Sequence, residues 1–243
     1  MKYGLILAMA TELVISQAAY SDSATALKTV AKDLQLCNPK NSGDGQPLLV
    51  LLSYQLAAPS PSSHSEAELN KRIEEAVFRD TKKKEWADLK PCAAIAKDPD
   101  SFPAQTRYIT GKLRPAEGGL VFVNVTRKFL REDLESYSKF YFSLASGKQW
   151  RNADFFTTQG IKEIDKAVAR ALHDQLGETA ASCADWNRFT VANTGALEFT
   201  PKGLHIVYSP EDVVCIYSNM TPFADFDWAT LKPFMSRNSP ITR

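Results

Sequence analysis

The chain has 243 residues, 44% of them apolar, with 29 basic against 28 acidic side chains and a net charge of +1. That length suits one large or two small domains with a substantial core. The balanced charge leaves no electrostatic footprint for nucleic acid, and no heptad, internal repeat or solenoid period is visible. Met1-Lys2 leads into the apolar run Tyr3–Ala10, and Ser16-Gln17-Ala18 has the small-x-small form of a cleavage site. The expectation is a signal peptide over 1–18 and a single exported domain over 19–243, periplasmic or secreted. No other segment approaches the length of apolar chain that spans a bilayer.

Leu27, Val30 and Leu34 recur at helical spacing, which predicts a short helix over 21–36 ended by Cys37-Asn38-Pro39. Leu48–Leu52 is a continuous apolar run and predicts a buried strand. Ser65-x-x-Glu68 is a capping box. The helix behind it places Leu69, Ile73, Ala76 and Val77 on one face and leaves Lys71, Arg72, Glu74 and Glu75 to solvent. Lys82-Lys83-Lys84 reads as a solvated helix end rather than an anion site. Three strands follow, over Thr106–Leu113, Leu120–Phe129 and Tyr137–Leu144. The first two are joined at the turn signal Glu117-Gly118-Gly119. Val121, Val123 and Val125 alternate with Phe122, Asn124 and Thr126, the period of a half-buried strand. Thr157 or Thr158 caps a second helix with Ile161, Ile164, Val168, Leu172 and Leu176 on its stripe and Gly177 in the C′ position. Leu197–Phe199, the turn Pro201-Lys202-Gly203 and Leu204–Tyr208 form a hairpin. Asp227 caps a short helix that ends at Pro233, and Arg237–Arg243 reads as a frayed tail.

No metalloprotease, nucleophile-elbow, P-loop or dinucleotide motif occurs. The three histidines, His64, His173 and His205, are far apart in sequence, so neither a metal nor a cofactor is expected, and no catalytic residue is assigned. Cys37, Cys92, Cys183 and Cys215 form no CxxC, which argues against zinc. In an oxidising compartment they allow three pairings, of which Cys37–Cys92 with Cys183–Cys215 joins each half of the chain to itself; four free thiols is the cytosolic alternative. Glu211-Asp212 and Asp225-x-Asp227 bracket a loop near the C-terminus. A pair of carboxylates there suits either a glycan hydrolase or a negative lip for a basic partner. Glu211, Asp212 and Asp225, with Tyr217 and Phe223 as aromatic anchors, are the candidate partner-binding residues.

Several of these elements also occur in a familiar order. Phe140-Tyr141-Phe142-Ser143-Leu144-Ala145-Ser146-Gly147-Lys148, then Ala153-Asp154-Phe155-Phe156 and a helix, then Phe199-x-x-x-x-Gly203, an apolar-aromatic strand, Ser209-Pro210-Glu211 and a closing helix with Leu231, resemble the RsiV-like (DUF3298) extracytoplasmic domain over about residues 45–236. The resemblance implies an α+β fold, an antiparallel sheet packed against two main helices, working as a sensor or binding domain outside the cytoplasm. In the RsiV-like group one known role is gripping lysozyme. Where those domains often carry a small Gly- and His-rich segment, this chain has Leu130–Ser136, and it lacks a counterpart of the sigma-binding region and membrane span of RsiV. The expected function is a non-enzymatic binding protein, an inhibitor or immunity protein against a lysozyme-like or toxin muramidase. The alternatives are an envelope hydrolase acting on peptidoglycan or polysaccharide, and a non-catalytic cell-wall sensor.

Overall fold

The computed structural model of the protein describes residues 27–37, 49–58, 64–78, 89–91, 106–129, 135–181, 190–192, 196–208 and 222–241. Its larger sheet is built from β1 (Thr29–Cys37), β2 (Leu49–Ala57), β3 (Lys90–Pro91), β4 (Thr106–Ala116), β5 (Leu120–Phe129), β6 (Glu135–Ser143) and β7 (Gln149–Trp150). The spatial order is β3-β1-β2-β4-β5-β6-β7. A smaller antiparallel sheet, ordered β10-β9-β8, contains β8 (Ala196–Thr200), β9 (Gly203–Val207) and β10 (Phe223–Asp227). The long helices are α1 (His64–Val77) and α2 (Thr158–Ala181), and a short α3 (Trp228–Leu231) closes the small sheet. No helix among the described residues is long and apolar enough to cross a membrane.

The expected α+β architecture is present, with one departure from an all-antiparallel sheet: β2 runs parallel to β4. Parallel neighbours need a long crossover, and the chain between them includes α1. The helix covers the face of the sheet it crosses. Leu69, Ile73, Ala76 and Val77, the stripe read from the sequence, are buried against Val50, Leu52, Tyr54, Val121, Val123, Val125 and Phe142. The other face of β5 and β6 packs on the small sheet and α2. There Leu120, Phe122 and Tyr141 meet Ile164, Val168, Leu172, Leu197, Phe199, Leu204 and Ile206. Alternation along β5 thus feeds two cores, Val121, Val123 and Val125 to the α1 side and Leu120 and Phe122 to the α2 side. Tyr141 joins the second core together: its ring lies 5.1 Å from Phe122, 5.2 Å from Phe155 and 5.6 Å from Phe199. Burial holds its phenol well above the ordinary tyrosine range.

Each long helix also grips a strand through an amide. Asn70 of α1 accepts from the Ala57 amide at 2.8 Å and donates to the Ala57 carbonyl at 2.9 Å. Gln175 of α2 does the same to Phe223, accepting at 3.2 Å and donating at 2.7 Å.

Three expectations are corrected. Residues 29–37 are strand, not helix. The Leu27, Val30 and Leu34 spacing imitates a helical stripe, but Val30 is 50% exposed and β1 pairs with β2 at all nine positions. Gly177 lies inside α2, which continues to Ala181; four residues of helix beyond it outweigh the cost of one interior glycine. The tail is held, not frayed, as far as Ile241. Ile241 is buried in the second core, and Pro240 sits on the β4–β5 turn. There Gly118 has φ +69°, and a Cβ on it would stand 2.1 Å from the Pro240 carbonyl oxygen. Thr157 caps α2 as expected, its hydroxyl accepting from the Gly160 amide at 2.9 Å. The lysine triplet, the Leu130–Leu134 part of the family-divergent segment, and Cys92, Cys183 and Cys215 lie outside the described residues.

Candidate functional site

The small sheet brings together charged side chains that are distant in sequence. Its inner face is apolar through Leu197, Phe199, Leu204, Ile206 and Ala224. Period-two alternation sends the intervening residues outward. Register then makes Glu198, His205 and Asp225 direct neighbours in one row across β8, β9 and β10. His205 Nδ1 and Asp225 Oδ1 are 2.7 Å apart, and the Phe223 ring lies 5.6 Å from the imidazole. Phe223 is 42% exposed and the Asp225 side chain 63% exposed, while Ala224 between them is 2% exposed. An aromatic ring and a carboxylate therefore stand side by side on an outer strand, facing solvent.

Glu198, at the other end of the row, ties the two sheets together. It accepts from Lys139 of β6 and from Arg114 of β4, each at 2.7 Å. The Lys139 side chain is only 6% exposed, against 29% for Glu198. Burial pushes the Glu198 carboxyl up, but the hydrogen bonds and charges of Lys139 and Arg114 together outweigh it and hold it below the usual carboxylate range. Arg114 also lies 4.3 Å over the Phe122 ring. Beside this pair, β8 meets β6 through the Phe199 amide, which donates to the Tyr141 hydroxyl at 2.8 Å.

Of the five predicted partner-binding residues, Phe223 and Asp225 are brought together, on β10 rather than in a loop. Glu211, Asp212 and Tyr217 lie outside the described residues. Asp227 is the cap it was read as: its Oδ1 accepts from the Thr230 amide at 2.7 Å, and that bond draws its carboxyl down. Cys37, the last residue of β1, is disulfide-bonded. Its strand neighbour β3 pairs Cys37 with Lys90, two residues before Cys92. Sequence reading missed the roles of His205, Glu198, Lys139, Arg114 and Gln175. The available signal was a charged residue between apolar ones, as in Leu197-Glu198-Phe199; the cross-strand partners required the register.

An imidazole oriented by a carboxylate is half of a general base. Among the described residues His205 has no second hydrogen-bond partner through which to activate a nucleophile. Nor does any cluster of three His, Cys, Asp or Glu side chains among them suit a metal ion. What the surface presents is one exposed aromatic ring beside the exposed carboxylate of the His205–Asp225 pair.

No family model and no curated protein matches the chain. Among solved structures it is similar to a DUF3298 family protein of Pseudomonas aeruginosa PAO1, with a TM-score of 0.56 at 16% identity over 87% of this chain and 95% of that one. It is likewise similar to a member of the same family from Bacteroides fragilis NCTC 9343, with a TM-score of 0.55 at 9% identity over 88% and 95%. The chain thus adopts the fold of the DUF3298 proteins.

Proposed function

We propose that the protein is an exported member of the DUF3298 family that binds a basic protein, in its most concrete form a lysozyme-like, cell-wall-degrading enzyme whose cleft it occludes. The observation that carries this reading is the outward pairing of Phe223 and Asp225 on β10. An exposed aromatic anchor beside an exposed carboxylate is the composition that a cationic protein surface meets. Glu211 and Asp212, upstream in the chain, are the further carboxylates proposed to steer a cationic enzyme. The DUF3298 fold, the leader-like N-terminus and the even cysteine count support an extracytoplasmic site of action, with Cys37–Cys92 and Cys183–Cys215 as the proposed disulfides.

The test is capture of a c-type lysozyme by the protein beginning at Ala19, followed by a lysis assay. Capture with loss of lytic activity, weakened by Phe223→Ala together with Asp225→Asn and by added salt, is the expected result. Undiminished capture by that double variant would remove the patch from the interface. The His205–Asp225 pair favours a second reading, an envelope hydrolase. Clearing of a cell-wall suspension by the protein alone, lost in Asp225→Asn, would put that reading first.

A further inference from the structure

An open groove lies on the other side of the large sheet, between α1 and the turn that joins β6 to β7. Its volume is about 400 Å³ and it is lined by Glu68, Arg72, Glu75, Phe140, Lys148 and Gln149, among others. That volume is within the roughly 300–1,000 Å³ of small-molecule sites. The turn belongs to the Leu144-Ala145-Ser146-Gly147-Lys148 motif, which the partner patch does not use. Gly147, at φ +65°, lets it approach α1 so closely that a Cβ would stand 2.9 Å from the Leu69 amide nitrogen. The motif thereby sets Lys148 and Gln149 against the helix. Among the described residues neither side chain makes a hydrogen bond, and the Lys148 ammonium acts at a distance on the Asp154 carboxyl, helping to draw it down. Opposite them Arg72 is fixed between Glu68 at 2.9 Å and Glu75 at 3.0 Å.

We infer that this groove binds a neutral saccharide. Its four charged groups, two carboxylates and two cations, cancel, so the wall holds no surplus for a polyanion or a polycation. Carboxylates, a guanidinium, an ammonium and an amide line the groove. That set suits vicinal hydroxyls, which both donate and accept. A purely apolar ligand would strip water from those polar groups and return no hydrogen bond.

The experiment is calorimetric titration of the whole protein with triacetylchitotriose, cellotriose and maltotriose, each to about 10 mM, with amide chemical shifts followed in parallel. At least one sugar is expected to bind and to move the 146–149 amides. Glu75→Gln and Gln149→Ala, both surface changes, are expected to weaken it about tenfold each, while Phe223→Ala leaves it unchanged. Absence of binding by all three sugars, binding that survives both substitutions, or capture of a zwitterionic dipeptide in their place would overturn the inference. None of these outcomes bears on the β10 patch, which lies across the sheet.

Discussion

Replacing Glu198 by Gln tests whether the Lys139–Glu198–Arg114 bridge holds the two sheets together. The change keeps the shape and removes the charge. Lys139 is almost fully buried and donates to Glu198 at 2.7 Å, so it would be left with a neutral acceptor. Breaking a fully buried pair costs about 3–5 kcal/mol, and an exposed pair contributes about 0.2–1 kcal/mol. One end here is buried and the other touches water, so we expect about 2 kcal/mol. At a urea slope of about 2 kcal/mol per molar this lowers the unfolding midpoint by about 1 M. Arg114→Gln should cost less, because Arg114 is half exposed. Lys139→Met should also cost less, because Glu198 then keeps Arg114 and Met fills the stem's space. The sign with pH follows from the depressed Glu198 carboxyl. The contribution is whole above the unfolded carboxylate value of about 4.3 and is lost as pH falls through the folded one. The gap between wild type and Glu198→Gln should therefore close only in acid. Urea curves in which Glu198→Gln is no worse than Arg114→Gln, or in which Glu198→Gln and Lys139→Met are additive, would refute the bridge.

Three further outcomes are expected. Gly118→Ala should lower the thermal midpoint, at about 1–3 kcal/mol, through its clash with Pro240; Gly119→Ala, at the same φ but with nothing within 4 Å of its Cβ, should cost less, and equal losses would mean the tail contact is irrelevant. Asp227→Ala should destabilise the closing turn whereas Asp227→Asn, which keeps the cap, should not; indistinguishable melting curves for the two would count against the cap. Burial raises the Asp165 carboxyl, and the Val191 amide donating at 2.7 Å only partly offsets this. A raised acid favours the fold at low pH and loses that advantage as pH rises through the folded value. Asp165→Asn should therefore be at least as stable as wild type at neutral pH, and Asp165→Ala, which strands a buried amide, should lose about 1–2 kcal/mol.

Elements whose pattern is local were legible in the sequence. The helix over His64–Val77 with its Leu69, Ile73, Ala76 and Val77 stripe, the β4–β5 turn at two glycines, the alternation along β5 and the Asp227 cap each depend on neighbours within a few residues. The failures have non-local causes. Thr29–Cys37 becomes strand because β2 offers it a nine-position ladder, and among the described residues its first five positions are exposed. Its outward face can therefore carry any residue, and a chance helical spacing misled. The tail is held by one buried isoleucine and one proline–glycine contact, too little to leave a period. At the candidate site the residue types were readable but their company was not. His205 and Asp225 are 20 positions apart and Glu198 and Lys139 59 apart, and only register brings them together.

The clamp on β10 narrows how a partner engages this surface. Outer strands attract other strands because alternate backbone groups point away from the sheet unpaired. On β10 the carbonyl of Pro222 bonds inward, to the Tyr208 amide at 2.9 Å. The antiparallel pattern therefore turns the Phe223 groups outward. Gln175 occupies both of them, so a strand added over the Phe223 end of β10 would have to displace a two-bond amide pair. At that end recognition falls to side chains: the Phe223 ring, positioned against His205, and the Asp225 carboxylate beside it. A Gln175→Ala variant separates the two modes. Contact through side chains predicts partner capture unchanged by that substitution and self-association increased by it, since the outer backbone groups become available. Strand addition by the partner predicts tighter capture, and that result would move the interface from the Phe223 and Asp225 side chains to the β10 backbone.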